Sequence, residues 1–352
     1  MDTLTHAISG MLVARASHRE QDTISLTLRS WVGFLVGAFP DIDFMAGYFG
    51  ISAFLEYHRG ITHSVLMMPI WALVLAWVMS QLTRLTTKQD HHWKNFYVLC
   101  LLALGIHIFG DVITAYGTEV FSPISNYRLS FPSTFIIDLY FSGIILVAIL
   151  LSVFIKRHAK NISLAGLGVL LGYILLQNYW MHQALEDTYA HVPVKHLKVK
   201  KINAIPQPLS PFNWKIIVET EDKYYLRYVN IHRDKVKQAE KQDGMLKRVD
   251  ALYTQKNFYN WTVVNKFGVG PIQELAKEIW QHDRMNTVRR FMEYPAVQRL
   301  EQWEEATCVF FSDQRFVLGD IRAPFIFGAC QHNETKEMKF LRWKDGGPAK
   351  FD

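Results

Sequence analysis

Long apolar runs in the first half of the chain limit its fold more than any other feature. A bilayer core about 30 Å thick is crossed by roughly 20 apolar residues in a helix. Four segments meet this requirement: Val65 to Leu82, Phe96 to Ala115, Phe135 to Ile155 and Leu164 to Met181. A fifth, Trp31 to Phe39, is shorter and ends at Pro40, Asp41 and Asp43. Before it, Leu4 to Ala16 is modestly amphipathic. These last two read as a helical hairpin that enters from one face and returns to it.

The character of the chain changes after Met181. From Lys195 onward it is rich in Lys, Arg, Glu and Trp, so the 50 % apolar average describes neither half. The expected fold is an α-helical multi-pass membrane domain over residues 1–185 followed by a soluble α+β domain over residues 186–352. Most of the net charge of +6 lies after Lys195. That surplus fits a solvated surface or contact with anionic lipid head groups. No nucleic-acid motif accompanies it, so a nucleic-acid partner is not expected. The N-terminus MDTLTHAISG is interrupted by Asp2, Thr3, Thr5 and His6 and does not read as a signal peptide.

Charged loops give an orientation. Arg15, Arg19 and Arg29 lie at the hairpin tip, Arg84, Lys88 and Lys94 in the next loop on that side, and Lys156, Arg157 and Lys160 in the one after. The opposite loops hold only Arg59 and Arg128 as cations. The positive-inside rule puts the basic end in the cytoplasm and the C-terminal domain outside. Cys308 and Cys330 would be free to pair there, whereas Cys100 sits in an apolar run and reads as core.

On this map the polar residues of the membrane half converge. His6, Asp41, Asp43, His58, His63, His107, Asp111 and Asp138 all fall at the outer end of their segments. His107 and Asp111 are four apart in an apolar helix and share one face. HRGITHS turns two imidazoles together, and PDID would aim both carboxylates inward if extended. Nitrogen and oxygen donors of this kind hold zinc or manganese. Eight candidates exceed one ion and suit two, which clamp attacking and leaving oxygens. Each residue also has a plain alternative. His6 would serve as a cap or core histidine, Asp41 and Asp43 as a helix stop, and Asp138 as a partner of the helix dipole. Ionisable groups at membrane depth are costly and mark function, which favours the shared site. Arg59 is a candidate anion holder and Glu119 a candidate general base. Thr62, Ser64 and Thr114 are candidate hydrogen-bonding supports.

The strings MDTLTHAISG, GAFPDIDF, HRGITHS and HIFGDVITAYGTEVFSP resemble, in order, the YdjM-type bacterial inner-membrane family, described as metal-dependent hydrolases and as LexA-binding. The resemblance covers about the first 140 residues. It implies a multi-pass inner-membrane protein with His6, Asp41, Asp43, His58, His63, His107 and Asp111 as its polar core. HIFGD is also similar to a His-x-x-Gly-Asp segment of zinc-dependent phospholipase C. Nothing in the residues explains LexA binding, and an outward site would face away from a cytoplasmic repressor.

In the second domain, WKIIVETEDKYYLRYVNI alternates and reads as a hairpin turning at Glu221-Asp222. Arg233 to Tyr253, Ile272 to His282 and Thr287 to Glu293 read as helices. TCVFFSD, QRFVLGD and EMKFLRW read as strands, with Asp313, Arg315, Asp320 and Arg322 forming salt bridges or a ligand contact. The expected function is a membrane-bound hydrolase acting through metal-activated water on a small-molecule or lipid ester or phosphoester. The alternatives are a structural or transport metal site and a membrane scaffold for a protein partner.

Overall fold

Leucine-rich helices with apolar residues on every side cannot all be buried against one another, and the first half of the chain shows where the surplus goes. The computed structural model describes residues 1–88, 91–191, 198–319, 321, 323–344 and 347–350. Its helices are α1 (Thr3–Ala16), α2 (Leu26–Ala38, continued as a 3-10 helix over Phe39–Phe49), α3 (Ile51–Tyr57), α4 (Met68–Thr87), α5 (Lys94–Val112), α6 (Leu139–Phe154) and α7 (Ala159–His191). Four stretches are long and apolar enough to cross a membrane: Leu26–Phe49, Met68–Thr87, Lys94–Val112 and Lys156–Tyr189. Their outer faces expose Leu73, Trp77, Val98, Leu171 and Leu175, the reverse of a water-facing helix.

Two expectations need correction here. The segment from Trp31 does not stop at Pro40, because a proline at the start of a 3-10 turn needs no N–H and the chain stays helical to Phe49. Conversely, the run from Phe135 is helical only over the 16 residues Leu139–Phe154.

Helix α1, expected as a modestly amphipathic arm of a hairpin, is largely buried. At 14 residues it rises only about 21 Å, and most of its side chains are buried, including Ala7, Leu12 and Ala14. One apolar cluster joins Ala14 to Val32, Val36, Ala76, Leu99 and Ala103; another joins Leu12 to Phe141, Ile145, Ala148 and Leu170. Against α2 the packing is backbone on backbone. A Cβ at Gly10 would fall 2.2 Å from the Gly33 carbonyl oxygen, and one at Gly37 would fall 2.8 Å from the His6 carbonyl oxygen. Only glycine permits such an approach, as in small-xxx-small membrane helix pairs. Arg15 is buried at the far end and donates to Ser30 and Ser152, tying α1 to α2 and α6.

The chain divides into two compact units: residues 1–45, 57–180 and 206–211 form one, and 46–56, 181–205 and 212–352 the other. In the second unit β2 (Asn213–Glu219) and β3 (Lys223–Asn230) form the expected hairpin, flanked by β1 (Lys201–Pro206), β4 (Thr254–Gln255) and β5 (Thr262–Asn265). A second antiparallel sheet runs β6 (Pro295–Gln302), β7 (Ala306–Asp313), β8 (Ile326–His332), β9 (Met338–Lys344), β10 (Gly347–Lys350). Its helices are α8 (Met245–Leu252), α9 (Ile272–Gln281) and α10 (Asn286–Phe291). The architecture is a helical membrane domain followed by an α+β domain. Arg233 to Gly244, however, is not helical, and Gln314 to Gly319 is mainly turn rather than strand, with Arg315 folded back on Asp313 at 2.7 Å. Asp320 and Arg322 lie outside the described residues. Cys308 and Cys330 face each other across β7 and β8 and are disulfide-bonded, and Cys100 is buried in the helical core.

Candidate metal centre

Four helical segments deliver one buried polar cluster. The first turns of α1 carry His6, the 3-10 continuation of α2 carries Asp41, and the last turns of α5 carry His107 and Asp111. One ligand atom from each of these four lies within 4.8 Å of the others. His63, on the short 3-10 turn Ile61–His63, closes the group: its Nε2 is 3.0 Å from His107 Nε2, 3.1 Å from Asp111 Oδ2 and 3.6 Å from Asp41 Oδ1. His107 and Asp111 project together because they are four apart on one helix. The His6 and His107 rings stack at 3.7 Å, and the Cβ that Gly110 lacks would stand 3.1 Å from the His6 ring.

Hydrogen bonds at the far nitrogens fix which atoms face inward. His107 Nδ1 lies 2.6 Å from the Gly37 carbonyl oxygen, and a carbonyl only accepts, so Nδ1 donates. His63 Nδ1 lies 3.1 Å from the Asp43 carboxylate, which likewise only accepts. In their neutral, metal-binding form, rings held this way would turn two Nε2 lone pairs toward each other. The carboxylates point the same way. Asp111 Oδ1 collects His6 Nε2 at 2.9 Å, Arg59 Nη2 at 2.8 Å and the amino group of Met1. Asp111 Oδ2 and Asp41 Oδ2 are buried without a hydrogen-bond donor. Buried acceptors in want of a donor are rare in native proteins and need an explanation. Facing lone pairs and orphaned carboxylate oxygens around one point make a cation-binding donor set.

Four of the sequence candidates stand elsewhere. Asp43 and His58 form one layer out. Asp43 Oδ1 meets His58 Nδ1 at 2.7 Å, and its Oδ2 accepts from the Arg59 N–H and the Thr62 hydroxyl, each at 2.9 Å. The expected extended backbone at PDID is a 3-10 helix instead, in which residues two apart point about 240° apart. Asp41 and Asp43 therefore serve different layers. Asp138 is not in the cluster: it caps α6, accepting from the Tyr140 and Phe141 N–H groups through Oδ1 and from Tyr173 and Gln177 through Oδ2. Glu119 is buried and paired with Arg128 at 3.2 Å rather than aimed at the histidines. Arg59 is buried as well. Its guanidinium is spent on Asp111 and on the Thr114 hydroxyl at 3.2 Å, and lies over the Tyr116 ring at 4.5 Å. Its φ of 61° is left-handed, a conformation that non-glycine residues hold at a cost of order 1–3 kcal/mol.

Residue reading alone missed Gly10, Gly33 and Gly37, which bring α1 and α2 together and supply the His107 acceptor. The Gly33-x-x-x-Gly37 spacing was the available signal. Thr62 and Thr114 do take up the supporting bonds expected of them. Ser64 instead donates to the Ser122 carbonyl at 2.5 Å and braces a loop.

The fold and this cluster define a membrane protein of apolar helices, with a glycine seam between α1 and α2 and a buried His/Asp centre. The model of the YdjM inner membrane protein family matches residues 1–184, which include every residue of the cluster, and the chain belongs to that family. It is also 24 % identical over 234 residues to the uncharacterized protein YfhP of Bacillus subtilis (strain 168), across 64 % of this chain and 67 % of the relative. No solved structure matches.

Proposed function

We propose that this protein is a metal-dependent hydrolase of the bacterial inner membrane, acting on an ester or phosphoester at the membrane surface. The observation that carries this reading is the pair of Nε2 atoms of His63 and His107, 3.0 Å apart with both Nδ1 atoms engaged, beside two orphaned carboxylate oxygens. His63, His107, Asp41 and Asp111 would hold the ion. His6 would join them by giving up its hydrogen bond to Asp111, so that loading releases a proton. The donor set suits zinc or manganese, and one centre of this size suits a single ion. A bound divalent ion would supply Lewis acidity and a water acidified toward a pKa of about 7. Asp43 and the Gly37 carbonyl orient the imidazoles, and Arg59 balances the carboxylate charge on Asp111.

The same reading takes the spanning segments as a multi-pass bundle with the cluster outside. Arg84, Lys94 and Lys156 stand at the helix ends opposite to His6, Asp41 and Asp111, which favours that orientation. The buried Cys308–Cys330 disulfide in the C-terminal domain supports it, because disulfides persist in oxidising compartments.

Metal analysis of the detergent-purified protein tests the centre. The wild type should carry about one equivalent of zinc or manganese, and the His63→Ala, Asp111→Ala double variant none. No bound metal in the wild type after either ion is supplied would overturn the reading. The complete burial of the ligands favours a second one, a closed structural site pinning four segments. Water-proton relaxation of the manganese-loaded protein separates them, since only a hydrolase needs an exchangeable water.

A further inference from the structure

The connection between α5 and α6 has its polarity reversed. Between Gly117 and Leu139 there are three charged side chains, Glu119, Arg128 and Asp138, and all are turned inward, none more than 11 % exposed. Phe121, Ile124, Tyr127 and Phe131 are turned outward, 47 %, 82 %, 64 % and 62 % exposed, and Ile137, Leu139 and Tyr140, where the segment enters α6, are exposed as well. A loop facing water would show the opposite pattern.

The segment is nonetheless built, not loose. Thr118 and Leu129 pair in an antiparallel bridge, and Ser133 and Thr134 donate to the Ile113 carbonyl. Its inner side is bonded to the loop that carries His63. The Glu119 N–H donates to the Arg59 carbonyl, the Val65 N–H to the Val120 carbonyl, and Arg128 to the His58 carbonyl. Order on the inside and an outside that carries no charge and is mostly apolar, Asn126 being its exposed polar residue, mark a surface with an apolar partner.

We infer that residues 117–139 form a lid seated in the bilayer leaflet on the side of the His/Asp cluster, with Phe121, Ile124, Tyr127 and Phe131 at the boundary between head groups and acyl chains. The occupant is lipid because the segment directly follows α5, a helix long and apolar enough to cross a membrane, and leads into α6, whose exposed residues Leu139, Leu146 and Val147 are apolar. Aromatic side chains also concentrate at that depth. The seat stands on the burial pattern alone. On the hydrolase reading, it also makes the substrate a molecule with a membrane-anchored tail, its ester or phosphate held beside the lid.

Site-directed nitroxide labels test it. Ile124→Cys and Phe131→Cys would each be labelled in the full-length protein and placed in nanodiscs of phosphatidylethanolamine and phosphatidylglycerol. Collision with oxygen is then compared with collision with a water-soluble nickel chelate. Labels at Trp77 on α4, one of the four stretches long and apolar enough to cross a membrane, and at Lys235 in the second unit give the lipid and water references. Both lid labels should resemble the Trp77 label, with oxygen favoured several-fold over nickel relative to Lys235. Nickel favoured at both positions would overturn the inference. So would shielding from both reagents, which would mean a protein partner or a second copy covers the patch. Neither readout depends on metal, so this test and the metal analysis fail separately.

Discussion

Replacing Gly10 by alanine should damage the cluster without touching any of its ligands. The added Cβ would stand 2.2 Å from the Gly33 carbonyl oxygen and 2.9 Å from the Gly37 Cα. The first is short of ordinary van der Waals contact by about 1 Å, and both obstacles are backbone, so no rotamer change relieves them. Overpacking of this kind costs about 1–3 kcal/mol, and the value here belongs at the upper end. Alanine returns about 1 kcal/mol of helix propensity, leaving a net loss of roughly 1–2 kcal/mol. Gly143→Ala on α6 is the matched control: nothing stands within 4 Å of its new Cβ, so it should be neutral or gain up to about 1 kcal/mol. Reversible unfolding in mixed detergent should therefore separate the two variants by roughly 2 kcal/mol, a factor of about 30 in the unfolding constant. Because His6 sits one turn before Gly10, parting the helices also pulls its imidazole from Asp111, and zinc affinity should fall with stability. Equal stability of the two variants would refute the backbone seam.

Asp43→Asn should lower zinc affinity by about 10–100-fold while leaving the stoichiometry intact, because it disturbs the partners of His63 and His58 rather than a ligand. Competition with a chromogenic chelator measures it, and an unchanged affinity would remove Asp43 from its supporting role. Cys308→Ala with Cys330→Ala should destabilise the C-terminal domain by about 3 kcal/mol, given a sequence separation of 22. Denaturant titration reports the loss, and thiol alkylation of the unfolded wild type should find Cys100 alone. Lys215 is fully buried, which pulls its ammonium pKa from 10.5 down to about 7. The unfolded chain then holds the extra proton between those values, so stability should rise as pH increases from 7 toward 9. Lys215→Met should flatten that rise, and parallel curves for the two proteins would show that Lys215 titrates normally.

How much of this was legible in the sequence depended on whether the signal lay in side-chain spacing. His107 and Asp111 announce a shared face by being four apart, and His6, Asp41 and His63 join them through the alternation of helix ends alone. Asp138 misleads because a carboxylate that opens a helix looks the same in sequence whether it caps that helix or serves a cluster. Asp41 and Asp43 were separable only once the 3-10 geometry was known. The same limit applies in the sheets. Strand β8, IFGACQH, has no polar–apolar alternation because its residues through Cys330 are all buried, and QRFVLGD alternates well enough to pass for a strand although Arg315 turns back to Asp313. Backbone acceptors such as the Gly37 carbonyl have no letter of their own.

That carbonyl owes its availability to its neighbour. In a 3-10 turn the donor to the oxygen of residue 37 would be the amide of residue 40, and Pro40 has no N–H to give. The proline thus deletes a competitor and leaves the oxygen for an imidazole 70 residues downstream. A single ring closure in the main chain of α2 thereby selects the tautomer of His107, so the protonation state of the cluster is written partly in covalent backbone chemistry.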